Sequence, residues 1–175
     1  MSDSTRWQPV IFPETAMARM AEALRRQPAS DYRDHAITHE VLKSLGPQRT
    51  VVDIGAGIGR FTVPLAEADC DVWAVEPSAI MREQLAQAVG ASPAASRIHT
   101  VPEIWPTAAV APVEVALAAW VIHFSAAPRA FIRAMEAVAT RRCVVAIPVE
   151  HRWAALQDLW ARFHPDRPAP APRVS

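Results

Sequence analysis

The chain carries no net charge, because 18 basic side chains offset 18 acidic ones. That balance argues against a nucleic-acid partner held mainly through phosphate charge. Cysteine is nearly absent. Cys70 and Cys143 lie in or beside apolar runs, without CxxC spacing. Both are expected to be buried free thiols, as suits a reducing cytoplasm. No stretch approaches the roughly 18 apolar residues of a membrane span. Met1 to Pro13 holds polar residues and prolines where a signal peptide would need a basic start and an apolar core. A cytoplasmic location is the expectation. With 51% apolar and 21% charged residues, the 175-residue chain is globular, not disordered, and one domain in size. Only five residues are glycine, yet three of them stand at 55, 57 and 59.

Around that cluster the chain divides into an N-terminal arm with helices (1–48), an α/β core (49–163) and a proline-rich tail (164–175). Apolar residues three and four apart predict helices over Glu14–Arg26 and from a cap at Ser30 or Asp31 to Leu45, the second with Ala36, Ile37, Val41 and Leu45 inward. Strands are expected at Thr50–Ile54, Val72–Val75, Arg97–Val101, Val113–Ala119 and Cys143–Val149. Helices fall between them, beginning near Arg60, after Ser78 and at Ser125 or Ala126; Gly90 is expected to stop the second of these. Pro102–Pro112 reads as a loop. A last helix carries Trp153, Leu156, Leu159, Trp160 and Phe163. Alternation of this kind implies a doubly wound parallel sheet. In a 3-2-1-4-5 order its switch point, where ligands collect, lies beside the glycine loop.

The loop excludes two familiar ligand grips. A dinucleotide fingerprint needs glycine at its first, third and sixth positions, which here are Gly55, Gly57 and Arg60. A phosphate-binding loop would need a Gly-Lys-Ser/Thr step, and none follows. His35 and His39, with Asp34 and Glu40 beside them, have metal-like spacing but lack the HExxH arrangement and a third ligand. They read as a solvated helix face, and no metal is expected.

The pattern that is present, Asp53-Ile54-Gly55-Ala56-Gly57-Ile58-Gly59, resembles motif I of the class I S-adenosylmethionine-dependent methyltransferases. Glu76 closes the second strand 17 residues beyond the last glycine, where the family places an acid that accepts both ribose hydroxyls. Pro77, Ser78 and Met81 continue the likeness, which spans about Thr50 to Val149. It implies a Rossmann-like core, S-adenosyl-L-methionine as cofactor, and a binding surface of Asp53, Gly55, Ala56, Gly57, Gly59, Glu76, Pro77 and Met81. Asp53 would orient the amino-acid portion or the loop amides, and the glycines would let the ligand lie against backbone.

Elsewhere the match is looser. Many members hold the adenine amino group with an acid after the third strand. Here Val101, Pro102 and Glu103 occupy that region, and Trp105 would flank the base. Ala119 would admit the cofactor and Trp120 would wall the acceptor side. His123 is the candidate base for an acceptor that must lose a proton, or else a brace for the strand–helix junction. Glu150 and His151 would touch an acceptor or begin a helix.

Class I members normally continue to an antiparallel hairpin that completes a seven-stranded sheet. The present sequence holds no such hairpin, so 143–149 is expected to be an apolar edge strand, which proteins rarely leave bare. Pairing with a like or unlike subunit, truncation, or cover by the tail or arm would each account for it; partner dependence is favoured. The leading function is methyl transfer to a small-molecule or protein acceptor. The alternative is a catalytically silent methyltransferase-like subunit that binds a partner protein. A dehydrogenase is third, disfavoured by Arg60.

Overall fold

In the computed structural model, which describes residues 13–26 and 32–147, the β-branched runs form one parallel sheet in the order β3-β2-β1-β4-β5. Its strands are β1 (Thr50–Ile54), β2 (Asp71–Val75), β3 (Ile98–Val101), β4 (Val113–Ala119) and β5 (Ala139–Ala146). The helices are α1 (Glu14–Arg25), α2 (Ala36–Ser44), α3 (Thr62–Glu67), α4 (Ala79–Gly90) and α5 (Pro128–Val138). Side chains alternate across the sheet. Val51, Val72, Val115 and Leu117 share a core with Val41 and Leu65. Val52, Ile54, Ala116 and Ala118 share the other with Phe131 and Met135 of α5. Both faces are therefore covered, as a parallel sheet requires. The expected order and winding are those observed.

Three element starts differ from expectation. Helix α2 begins at Ala36, because Tyr32 is drawn inward first: its ring packs edge-on to Phe61, 5.1 Å between centroids. Its carbonyl accepts from Thr38 Oγ1 at 2.6 Å. His35 then caps the helix, its Nδ1 accepting from Ile37 N at 3.1 Å. Ala36 is exposed, while Thr38 and Ser44 are buried with Val41. Helix α5 begins at Pro128, not Ser125 or Ala126, because Ile122–Phe124 first make a separate 3-10 turn. Pro128 keeps Ala127 out of the helical region (φ −132°, ψ 71°) and itself suits the first helical position. Strand β5 begins at Ala139, directly on α5, whose last cap residue is already extended (φ −81°, ψ 117°).

Smaller differences have local causes. Gly90 is the last helical residue of α4, and the cap is Ala91 in the right-handed region. Cys70 is buried as expected, but Cys143 is only half-buried on the outermost strand. Ser78 does cap α4, accepting from Met81 N at 3.3 Å. The expectations for the N-terminal arm, Glu150, His151, the last helix and the tail lie outside the described residues.

One buried acid ties the sheet to the turn before it. The pairing of β4 with β5 slips between Val113 and Val115. At that bulge Glu114 N donates to Thr50 Oγ1 at 2.9 Å. The Glu114 carboxylate turns toward the 46–49 loop and accepts from Gly46 N (2.9 Å), Gln48 N (3.2 Å) and Arg49 N (2.8 Å). A β-carbon on Gly46 would collide with it. Burial alone would raise the pKa of Glu114, but the three amides and Arg141 outweigh it, and the net direction is downward. The stabilisation is thus complete above the ordinary glutamate range and lost as pH falls. Glu114→Ala should cost about 2–4 kcal/mol in urea unfolding at neutral pH, since it strands three amides. A loss under about 0.5 kcal/mol would mean that the loop finds other partners.

Candidate active site

The carboxyl ends of β2, β1 and β4 lie side by side, so the residues that follow each strand meet in one crevice. After β1 the chain turns through Gly55 (φ 74°), Gly57 (φ 58°) and Gly59 (φ 90°), left-handed conformations that other residues rarely adopt. Space matters at two of them. A β-carbon on Gly55 would lie 2.5 Å from Val121 Cγ2, and one on Gly59 2.7 Å from Leu85 Cδ1. At Gly57 the nearest atom would be Gly55 O at 3.9 Å. Gly55 and Gly59 therefore serve packing, whereas Gly57 faces open space.

Glu76, one residue beyond β2, fixes this loop. Its Oε2 accepts from Gly57 N at 2.9 Å and its Oε1 from Ser78 N at 2.8 Å. Arg82 reaches back from α4 to the carbonyls of Glu76 (3.0 Å) and Pro77 (2.6 Å). Burial raises the Glu76 pKa, opposed by the two amides and by Arg82. Asp53, on β1, is more deeply enclosed. Its Oδ2 accepts from Thr62 Oγ1 at 2.6 Å. Burial lifts its pKa from 3.8 to about 6, against the Thr62 hydrogen bond and with a further push from the Glu76 charge.

These groups line a cavity of about 510 Å³. Of the residues named from sequence, Asp53, Gly55, Ala56, Gly57, Glu76, Pro77, Met81, Ala119 and His123 stand in its wall. Gly59, Val101, Pro102 and Glu103 do not. Val101 O is taken by Glu76 N at 3.0 Å, and Glu103 turns away to accept from Ala109 N at 3.0 Å. Trp105 contributes to the wall but is 5% exposed. Its indole N–H donates to Phe131 O at 3.1 Å. His123, on the Ile122–Phe124 turn, is exposed and has its ring against Phe124.

Of the far wall, sequence inspection named only Trp120. Met17, Met20 and Leu24 of α1 line the cavity with Tyr32, Phe61 and Trp120, whose rings pack together with that of His35. His35 belongs to this packing, stacked on Tyr32 at 5.6 Å, and not to a solvated face. Arg60 lies over Tyr32 (4.7 Å) and Trp120 (5.3 Å) and donates to the Tyr32 hydroxyl. Burial lowers its pKa from the ordinary value, with Tyr32 opposing. Among the described residues no group of three His, Cys, Asp or Glu is placed to hold a metal. No described helix is long and apolar enough to cross a membrane.

Residues 52–147 match the family model of the methyltransferase domain. The chain belongs to that family. Solved structures with this fold include the CcbJ methyltransferase of Streptomyces caelestis (20% identity, TM-score 0.58, covering 73% of this chain and 55% of that one). Another is the glycopeptide N-methyltransferase MtfA (18%, 0.52, 58% and 48%). A third is the magnesium protoporphyrin IX methyltransferase of Synechocystis (19%, 0.53, 87% and 73%). At these identities the likeness establishes the fold. The chain spans about half the length of the first two. Among curated proteins none matches it in sequence.

The elevated Asp53 pKa gives this methyltransferase domain a testable signature. Between pH 4 and 6 the folded state holds a proton that the unfolded chain has released, so this group lowers stability as pH rises through that window. Asp53→Asn should therefore gain on the wild type from pH 4 to 7, by up to roughly 3 kcal/mol. Denaturant unfolding across that range tests it; a difference independent of pH would contradict the burial argument.

Proposed function

We propose that this methyltransferase domain binds S-adenosyl-L-methionine across the ends of β2, β1 and β4 and passes its methyl group to an acceptor, a small molecule or a group on a protein. The observation that carries the reading is Glu76 bound to Gly57 N, a carboxylate held against a glycine turn that faces open space.

The donor set suits that cofactor. Each Glu76 oxygen engages one backbone N–H and has a second acceptor position, enough for a ribose diol. Gly57 provides a cradle that a β-carbon would fill. The cavity volume lies in the range of small-ligand sites. MtfA, which shares the fold, has been solved with S-adenosyl-L-methionine bound.

When bound, the cofactor supplies a methyl carbon already activated by its sulfonium, so the protein's task is alignment and desolvation. Glu76 and the glycine turn hold the nucleoside portion. Asp53 and Thr62 fix the base of the loop. Ala119 keeps the end of β4 narrow, and the α1 methionines with Trp120 exclude water from the acceptor side. His123 stands in the cavity wall to take a proton from an acceptor that must lose one.

Calorimetric titration with S-adenosyl-L-methionine tests the proposal. The wild type should bind, and Glu76→Gln should weaken binding by about 10–100-fold, the scale of a hydrogen bond to a charged group. Gly57→Ala should lose about 1–2 kcal/mol of stability to its left-handed backbone and, where folded, bind far less. Absence of heat with the wild type, or full affinity in both variants, would overturn the reading.

A further inference from the structure

We infer that Arg60, held by Tyr32 and Trp120, is the anchor for the α-carboxylate of the bound cofactor. The inference rests on the cofactor reading above and assigns a role to a residue that entered only as a departure from the dinucleotide fingerprint.

Three observations carry it. The first is charge. The cavity wall already contains two acids, Asp53 and Glu76, and among the described residues Arg60 supplies its one guanidinium or ammonium. A ligand with an amino-acid end brings a carboxylate that would be repelled by both acids and costly to bury without a cation beside it.

The second is position. Glu76 follows β2, the glycine turn follows β1, and Trp120 follows β4. Parallel strands lie about 4.8 Å apart, so the β2 and β4 ends are separated by roughly 10 Å. A molecule whose ribose sits on Glu76 and which crosses the glycine turn points its other end at Trp120 and the guanidinium above it.

The third is preorganisation. The Arg60 guanidinium is 4.7 Å from the Tyr32 ring and 5.3 Å from the Trp120 ring, and it donates to the Tyr32 hydroxyl. Trp120 takes a left-handed backbone conformation (φ 56°) to place its ring there, a conformation costly for a tryptophan. Its amide is pinned to Ala146 O at 2.9 Å. A planar fork stacked on aromatic faces suits bidentate capture of a carboxylate, and a flexible ammonium would not stack in the same way.

An acidic group on the acceptor presents the same chemistry, so the test separates the two sources without any acceptor present. Wild type, Arg60→Met and Arg60→Lys are titrated calorimetrically with S-adenosylhomocysteine and with methylthioadenosine, which lacks the amino-acid end. Arg60→Met should lose about 10–100-fold in affinity for S-adenosylhomocysteine, as for other lost charge-assisted contacts. Its affinity for methylthioadenosine should stay within about twofold of wild type, the ordinary scatter of a small indirect effect. Arg60→Lys should recover part of the loss. Unchanged affinity for S-adenosylhomocysteine would overturn the inference and assign the guanidinium to the acceptor. Equal loss for both ligands would overturn it in favour of a purely structural clasp. A wild type that binds neither ligand refutes the cofactor reading itself, and the inference with it.

Discussion

The site depends on a single carboxylate that faces two ways. Glu76 accepts from the glycine turn through one oxygen and from the start of α4 through the other. The end of β2 and the helix that directly follows it, which carries Met81, are thereby fixed to the loop after β1, 19 residues earlier in the chain. Arg82 closes the arrangement by holding the Glu76 and Pro77 carbonyls. Loop amides at left-handed glycines would otherwise be free to reorient, because glycine imposes no preference of its own. The same carboxylate thus sets the shape of the cavity wall beside the glycine turn.

The fold was legible because its signal is local. β4 reads as a run from Val113 to Ala119 that is apolar apart from Glu114, and it forms over those residues. Ser78 precedes an amphipathic stretch and caps it. The parallel sheet then follows from alternation of strand and helix. Part of the site was legible for the same reason, since Asp53, Gly55, Gly57 and Glu76 sit at strand ends with a recognisable spacing. The rest had no local signal. Tyr32, Phe61 and Trp120 come together from segments about thirty and sixty residues apart, and no periodicity links them. Of the displaced element starts, that of α2 has a similar origin, whereas those of α5 and β5 are shifted locally. α2 is delayed by a tertiary ring contact at Tyr32, and β5 is advanced because α5 runs into it without a loop.

The two ends of β5 are packed differently. It is the outermost strand beside β4, and Val145 and Ile147 are exposed at its end. Its amino-terminal half is tied inward by Arg141 to Ser44 O at 3.1 Å and by Arg142 to Glu40 at 2.7 Å. The strand is therefore secured against α2 at one end and apolar at the other, which is the end beside the site. Trp120 N bonds to Ala146 O there. The outermost strand thus helps to hold Trp120 in its left-handed conformation in the cavity wall.

Arg60 shows why one position in a glycine motif discriminates between ligands. In a dinucleotide fold the corresponding glycine permits the helix to pack tightly on the strand. Here α3 starts at Thr62, two residues later, and close packing against α4 is supplied by Gly59 facing Leu85. The residue at 60 is thereby released from packing and swings over Tyr32 and Trp120 into the cavity. Position 60 thus departs from the dinucleotide pattern and brings a cation into the cavity wall at once.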